Sequence, residues 1–375
     1  MDTDTSTKLS TIDSAVLTPL VRQSLNRVAA EIIAWKYDRL HGASFNSEIY
    51  RFSGNARDEG EVLPWSLILK IIRSPDEKDD PTSLRYWKRE ALAYESGLLS
   101  QLPGLISAPR CFGIVEQSGL EIWLWLEEIV DEATGSWSLD QYGSAARHLG
   151  RFNGAYLENQ PLLAQPWLAK GRLRAWTGDA APEIPQNVLA HPLVSRVYPA
   201  DIYQWMLRVW SDHDAWINRI EGQPQTLSHL DAFRRNLFAR RNAQGSWQTV
   251  LIDWAFVGSA ALGEEMAPLV AASLNFLDVD RAQANALDQV VFEGYVEGLR
   301  EAGWHGDPRA VRLTYAASSI LKYCIGVSGI AFMIADAGKH SLLEEAFGHP
   351  LEELVEAWAN TNRFLQHLAE EIRPL

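Results

Sequence analysis

Asp231 and Asn236 stand five residues apart in Leu227-Ser-His-Leu-Asp-Ala-Phe-Arg-Arg-Asn-Leu-Phe238, and a further carboxylate, Asp253, closes the apolar run Thr249-Val-Leu-Ile252. Two carboxylates and an amide oxygen so spaced suit phosphoryl transfer. One carboxylate accepts a hydrogen bond from an attacking hydroxyl, while hard oxygen donors hold the magnesium that neutralises nucleotide phosphates. Asp231 is the candidate base, and Asn236 and Asp253 are the candidate metal ligands. A strand ending at Asp253 would hold that carboxylate rigidly. An isolated loop Asp is more often a turn or capping residue; the spacing to Asn236 and Asp253 is what argues for chemistry.

Lys70 lies inside the apolar run Leu67-Ile-Leu-Lys-Ile-Ile72, and a buried charge needs a partner. Glu90, in Trp87-Lys-Arg-Glu-Ala-Leu92, is the candidate partner from the next helix. The competing reading of Lys70 is an edge-strand lysine that discourages aggregation.

Protein kinases carry an Asp followed by four residues and an Asn in the catalytic loop, then an Asp-Phe-Gly element, with a strand Lys paired to a helix Glu. Here the corresponding elements are His229-Leu-Asp231, Asn236 and Ile252-Asp253-Trp254, with Lys70 and Glu90 upstream. The sequence resembles the aminoglycoside phosphotransferase and choline kinase branch of the kinase-like superfamily over residues 40–275, most closely over 227–269. The resemblance implies an α+β bilobal kinase-like fold with a β-rich nucleotide-binding lobe over residues 1–130 and a mainly helical lobe over 131–375. It implies Mg2+ and ATP, with GTP left open, and an acceptor that is a small hydroxyl compound such as an aminoglycoside, amino alcohol or sugar. It further implies that Lys70, paired with Glu90, contacts the nucleotide phosphates, and that backbone groups near Glu128 and Ile129 bind the adenine edge. His229 reads as an orienting residue, and Glu264 and Glu265 as structural ones.

Two departures stand out. Leu230 occupies the position between the motif His and Asp where Gly is frequent in such families, and the region before the first strands has no Gly-rich phosphate loop, only Gly42 within residues 41–46. Of Arg234 and Arg235, inside the loop, one could stabilise transition-state charge, but both are expected to be solvated or paired with acids. The second motif reads Asp-Trp-Ala and no Ala-Pro-Glu element follows, which disfavours a protein kinase. The alternative to an enzyme is a kinase-like module that binds a nucleotide or ligand without turnover.

The elements that must position these groups are readable in outline. Apolar spacing predicts a helix over residues 19–35, strands over 48–53 and 65–72 joined by a long loop, a helix over 83–99, and strands over 108–116 and 120–126. Helices follow over 139–157, 199–220, 281–302, 308–337 and 342–372. The Pro-rich span 160–191 reads equally as a substrate-side insertion or a surface loop.

With 47% hydrophobic and 22% charged residues, the 375-residue chain can build a substantial core. A net charge of −14 argues against a nucleic-acid partner and is compatible with a cationic acceptor. Cys111 and Cys324 read as free thiols, so no disulfide framework is expected. The apolar run 324–335 is too short to span a bilayer, and no secretory leader is apparent, so a cytoplasmic protein without a membrane partner is expected. Oligomeric state is not legible. The tryptophans Trp137, Trp167, Trp176, Trp205 and Trp210 are expected to be mostly core, with some able to stack on a substrate, and a cluster of them with Asp179, Glu183 or Asp201 at a cleft mouth would point to a cationic acceptor.

Overall fold

The computed structural model describes residues 8–40, 47–75, 79–117, 119–133, 135–158, 164–178 and 181–372. The chain divides into two units, residues 1–80, 86–101 and 108–130 forming one and residues 81–85, 102–107 and 131–375 the other. Residues 41–46, expected to cover the phosphates, lie outside the described residues.

In the first unit, helix α1 (Ser14–Leu25) is capped by Asp13, whose carboxylate accepts from the Ala15 and Val16 amides, and ends at Asn26 in the left-handed region. The helix expected over residues 19–35 therefore stops early. The alternating sequence after it forms β1 (Glu31–Leu40) instead. Strands β2 (Ser47–Asp58) and β3 (Glu61–Arg73) replace the expected long loop with a tight hairpin. Only Glu59 and Gly60 turn, both at positive φ (48° and 90°), the conformation whose twist matches the flanking strands. Strands β5 (Cys111–Glu116) and β6 (Glu121–Glu127) complete an antiparallel sheet in the order β1-β2-β3-β6-β5.

Strand β3 is therefore central. Leu67, Leu69 and Ile71 pack with α1, Tyr50, Phe52 and Trp125 in the core of this unit. The strand period of two places Lys70 on the opposite face, paired in register with Ile49 and Leu124. The expected helix over residues 83–99 is shorter, α2 (Arg89–Glu95), with Glu90 in its first turn.

The second unit is mainly helical. Helix α3 (Leu139–Glu158) begins with a reciprocal cap, in which the Ser138 amide donates to Gln141 Oε1 at 2.7 Å and the Gln141 amide to Ser138 Oγ at 3.4 Å. Beyond it lie α4 (Arg172–Thr177), α5 (Ala200–Ser211), α6 (His213–Glu221), α7 (Ala284–Glu301), α8 (Pro308–Ile320) and α9 (Leu351–Ile372), with shorter helical pieces between. The helix expected over 342–372 is broken at Gly348 (φ 79°), which, with Pro350 close behind, ends one helix before α9 begins. Residues 308–335 are long and apolar enough in composition to cross a bilayer, but 67% of their most apolar stretch is buried within the unit, as in a core helix.

Two small β elements carry the motifs. Strand β7 (Gln225–Ser228) pairs with β10 (Gly258–Ala261), and β8 (Leu237–Arg241) pairs with β9 (Trp247–Leu251), which also pairs in parallel with the short β4 (Ile106–Ser107). Helices α3 and α7 lie against each other so closely that glycine is required. A Cβ on Gly150 would sit 2.0 Å from the Tyr295 carbonyl oxygen, and one on Gly298 2.0 Å from that of Arg147. The same two helices hold β7: Asn153 of α3 donates to the Leu227 carbonyl (2.8 Å), accepts from Tyr295 of α7 (2.7 Å), and its own carbonyl accepts from Thr226 (2.6 Å).

Gly298→Ala should therefore force α3 and α7 apart and lower stability by about 1–3 kcal/mol, the usual cost of overpacking a well-packed core. Thermal denaturation should show a melting point several degrees below wild type; an unchanged transition would contradict the close approach.

Candidate active site

The first unit brings together the pair expected from the sequence. Lys70 Nζ lies 2.6 Å from Glu90 Oε2, with the two side chains 8% and 2% exposed. An ion pair so buried stands only with a partner on each side, and loss of either leaves a stranded charge. The edge-strand reading of Lys70 does not hold, because β3 has neighbours on both sides. Glu128 and Ile129 follow the end of β6, and Arg51 Nε donates to Glu128 Oε2 at 3.0 Å.

In the second unit, β7 delivers His229-Leu-Asp231 and the β8–β9 hairpin delivers Asn236 and Asp253. The register pairs Leu237 with Leu251, and the Ile252 amide donates to the Asn236 carbonyl at 3.1 Å. Asn236 and Asp253 thus emerge at the same end of one hairpin. The Asn236 amide nitrogen donates to the Asp231 backbone oxygen (3.0 Å) and to Asp231 Oδ2 (3.3 Å), which leaves its carbonyl oxygen for another partner. That oxygen and the half-buried carboxylate of Asp253 are hard donors of the type magnesium takes, and two protein ligands are enough for an ion that keeps water and phosphate in its shell. Among the described residues there is no group of three or more His, Cys, Asp or Glu side chains able to hold a metal.

The loop is bent at two non-glycine residues with left-handed backbone, Leu230 (φ 68°) and Asp253 (φ 61°). Such conformations are held by their surroundings. At Leu230 the restraint is Glu265, fully buried, whose Oε2 accepts from the His229 amide at 2.7 Å and Oε1 from the Leu230 amide at 2.9 Å. Glycine adopts such a turn without strain; here leucine does so and fills the space inside, 3% exposed. Burial pushes the Glu265 carboxyl up to about 7, against the pull of its two amide hydrogen bonds.

His229 is an orienting residue. Its Nε2 lies 2.9 Å from the Ile252 carbonyl and its Nδ1 accepts from the Asp231 amide at 3.3 Å, which together define the neutral tautomer protonated on Nε2. Trp254 packs edge-on at 4.6 Å between ring centroids. Burial pulls the imidazole down to about 4, only partly opposed by Asp231 and Asp253. Arg234 and Arg235 are structural, as expected. Arg234 donates to Asp131 at 2.7 Å and lies over Trp137, while Arg235 donates to the Phe347 carbonyl at 2.9 Å.

Two residues that the sequence did not single out reach Asp231. Arg172 Nη2 and Lys322 Nζ both lie 3.4 Å from Asp231 Oδ1, with side chains 4% and 9% exposed. Arg172 comes from α4, inside the Pro-rich span 160–191 that read equally as an insertion or a surface loop. Lys322 stands just before the apolar run 324–335. It sits in a wide helical turn (Leu321–Ile325) in which the Gly326 amide donates five residues back, to the Leu321 carbonyl, at 2.9 Å. A lone charge inside an apolar helix, together with such a turn, was the available signal. Trp176 lies beside both cations, and Trp137, Trp167 and Trp205 are core. Asp201 pairs with Arg363, and Asp179 lies outside the described residues.

No protein-family profile and no curated sequence matches the chain. Solved structures do. It aligns over 95% of its length with 98% of a microcompartment-associated aminopropanol kinase (TM-score 0.53, 13% identity). It aligns with 96% of an amicoumacin kinase in complex with AMP-PNP, Ca2+ and Ami, again over 95% of this chain (TM-score 0.52, 12% identity). The chain shares the fold of these two structures. An aminoglycoside phosphotransferase from Alicyclobacillus acidocaldarius subsp. acidocaldarius DSM 446 shares this kinase-like fold over 92% of this chain and 94% of its own (TM-score 0.50, 18% identity).

Because His229 is neutral when folded and titrates near its ordinary value when unfolded, its contribution to stability is complete above about pH 6.5 and is lost as pH falls toward about 4. Buried His148, also pulled down to about 4, adds a slope of the same sign. Chemical denaturation of His229→Asn across this window should show a shallower loss of stability than wild type, and equal slopes would remove His229 as a source.

Proposed function

We propose that this protein is a magnesium- and ATP-dependent kinase that phosphorylates a hydroxyl group of a small molecule. The observation that carries the reading is the arrangement around Asp231: a carboxylate fixed by Asn236 and by the His229–Glu265 scaffold, beside a hairpin end bearing two hard oxygen donors. The same fold in solved small-molecule kinases supports it.

ATP with magnesium supplies the transferable phosphoryl group when bound. Asp231 accepts a hydrogen bond from the acceptor hydroxyl, aims its oxygen and takes its proton as the new bond forms. The Asn236 carbonyl oxygen and the Asp253 carboxylate would hold the metal. Lys70 would meet the nucleotide phosphates with its ammonium kept in place by Glu90, and backbone groups at Glu128 and Ile129 would receive the adenine edge. Positioning and charge do most of the work in such transfers, so the rigidity of these groups matters more than their reactivity.

Asp231→Asn should lower kcat for phosphoryl transfer by about 100- to 10,000-fold, the usual contribution of a positioned base, and leave Mg·ATP binding within a few fold of wild type. Asp253→Asn should abolish the magnesium dependence of nucleotide binding, read by calorimetry with and without the metal. Transfer at wild-type rate by Asp231→Asn would sink the proposal. Mg·ATP binding without transfer to any hydroxyl compound, aminoglycosides, amino alcohols and sugars included, would favour a binding module.

A further inference from the structure

Arg172 and Lys322 place two cations against one oxygen of Asp231, in a surrounding that is otherwise largely apolar and aromatic. The Arg172 guanidinium lies 4.2 Å over the Phe256 ring and 6.0 Å from Trp176, and the Lys322 ammonium lies 5.6 Å from Trp176 and 4.9 Å from Tyr323. Both contacts to Asp231 are long, at 3.4 Å, and both fall on Oδ1, so neither is the close bidentate pairing that arginine makes when a carboxylate is its dedicated partner. Among the described residues, two buried donors here have no hydrogen-bond partner: Arg172 Nε and the Trp176 indole nitrogen. A buried donor left unpaired costs about 1–3 kcal/mol, and a fork of donors around a surplus positive charge is a seat for an anion.

The nearby acids do not cancel the surplus. Glu265 is committed to the His229 and Leu230 amides and Glu264 to the Ala261 amide at 2.7 Å, and burial pushes both carboxyls up to about 7. Burial and Arg172 together pull Lys322 down to about 7, against Asp231 and Glu265, which favour its ammonium.

We propose that the acceptor is an anionic hydroxyl compound, its carboxylate or phosphate held by the Arg172 guanidinium, the Lys322 ammonium and the Trp176 indole N–H while its hydroxyl is presented to Asp231. This inference rests on the kinase reading of Asp231 and runs opposite to the cationic acceptor that the overall charge of −14 would suggest. A local pair of buried cations outweighs a diffuse surface charge, because solvent screens the latter and reaches the former far less. In the transfer, the acceptor oxygen bonds to the γ-phosphorus, the bond from that phosphorus to the β–γ bridging oxygen of ATP breaks, and the hydroxyl proton passes to Asp231.

The test uses the full-length protein with D-glycerate and glycerol 3-phosphate as carboxylate and phosphate probes, and ethanolamine, choline and kanamycin as cationic ones. Thermal shift without nucleotide should show stabilisation by one or both anions and by none of the cations. Arg172→Gln and Lys322→Gln should each weaken that response about 10- to 100-fold in anion concentration, the usual span for a charge-assisted contact. Stabilisation by Mg·ATP should be unchanged in both variants. Where an anionic probe turns over, the variants should raise its KM by a similar factor with the KM for ATP unaltered, and Arg172→Lys should recover part of the loss.

Turnover confined to the cationic compounds would overturn the inference while leaving the kinase reading intact. So would anion stabilisation that persists undiminished in both glutamine variants, or no anion response in a protein that still binds Mg·ATP. A fall in kcat with acceptor KM unchanged would instead assign the two cations to positioning Asp231. Failure of the kinase reading has its own signature: Mg·ATP neither binds nor depends on Asp253.

Discussion

The loop that carries Asp231 depends on one buried carboxylate. Glu265 accepts two successive backbone amides, from His229 and Leu230, at the point where the chain turns through a left-handed residue. Without that acceptor two amides would be stranded in a region that water does not reach, and the turn at Leu230 would lose the interaction that opposes its strain. The turn in turn sets where Asp231 points, since His229 takes the Asp231 amide on one ring nitrogen and ties the other to the Ile252 carbonyl. One imidazole therefore connects the strand that leads to Asp231 with the hairpin that carries Asn236 and Asp253. The placing of Asp231 rests on a buried acid, a buried neutral histidine and a leucine held in left-handed backbone.

The two units each carry a buried pair of opposite charges, with different character. Lys70 and Glu90 form a short contact with both partners enclosed, on the face of a central strand where the period of two takes one residue away from the apolar core. Around Asp231 the balance is uneven: two cations share one oxygen at longer range. A closed pair is set for structure and orientation, whereas an uneven one still has interactions to give.

Much of this was legible in the chain. Asp231, Asn236 and Asp253 announce themselves by spacing, and Lys70 by standing in an apolar run, because a charge that survives in such company has a reason to be there. Long helices such as α3 and α7 read well from their periodicity. The errors lie where local sequence carries two messages. Residues 19–35 hold apolar groups at spacings that fit a helix, but the left-handed cap at Asn26 hands the second half to a strand whose alternation is equally good. Residues 54–64 look like a loop by composition, yet only Glu59 and Gly60 need turn conformations; the rest pairs as strand, residues 54–58 with β3 and residues 54–57 with β1 as well.

Arg172 and Lys322 were beyond local reading for a different reason. They meet at Asp231 from segments separated by 150 residues, and neither has a neighbour in sequence that explains it. Chain chemistry alone determined the candidate groups and the order in which they appear, since spacing within a loop and at a strand end is a local property. Only the tertiary structure decided which charges surround them, because charge–charge distance depends on how distant helices pack, and burial, which gives those charges their strength, exists only once the core has formed.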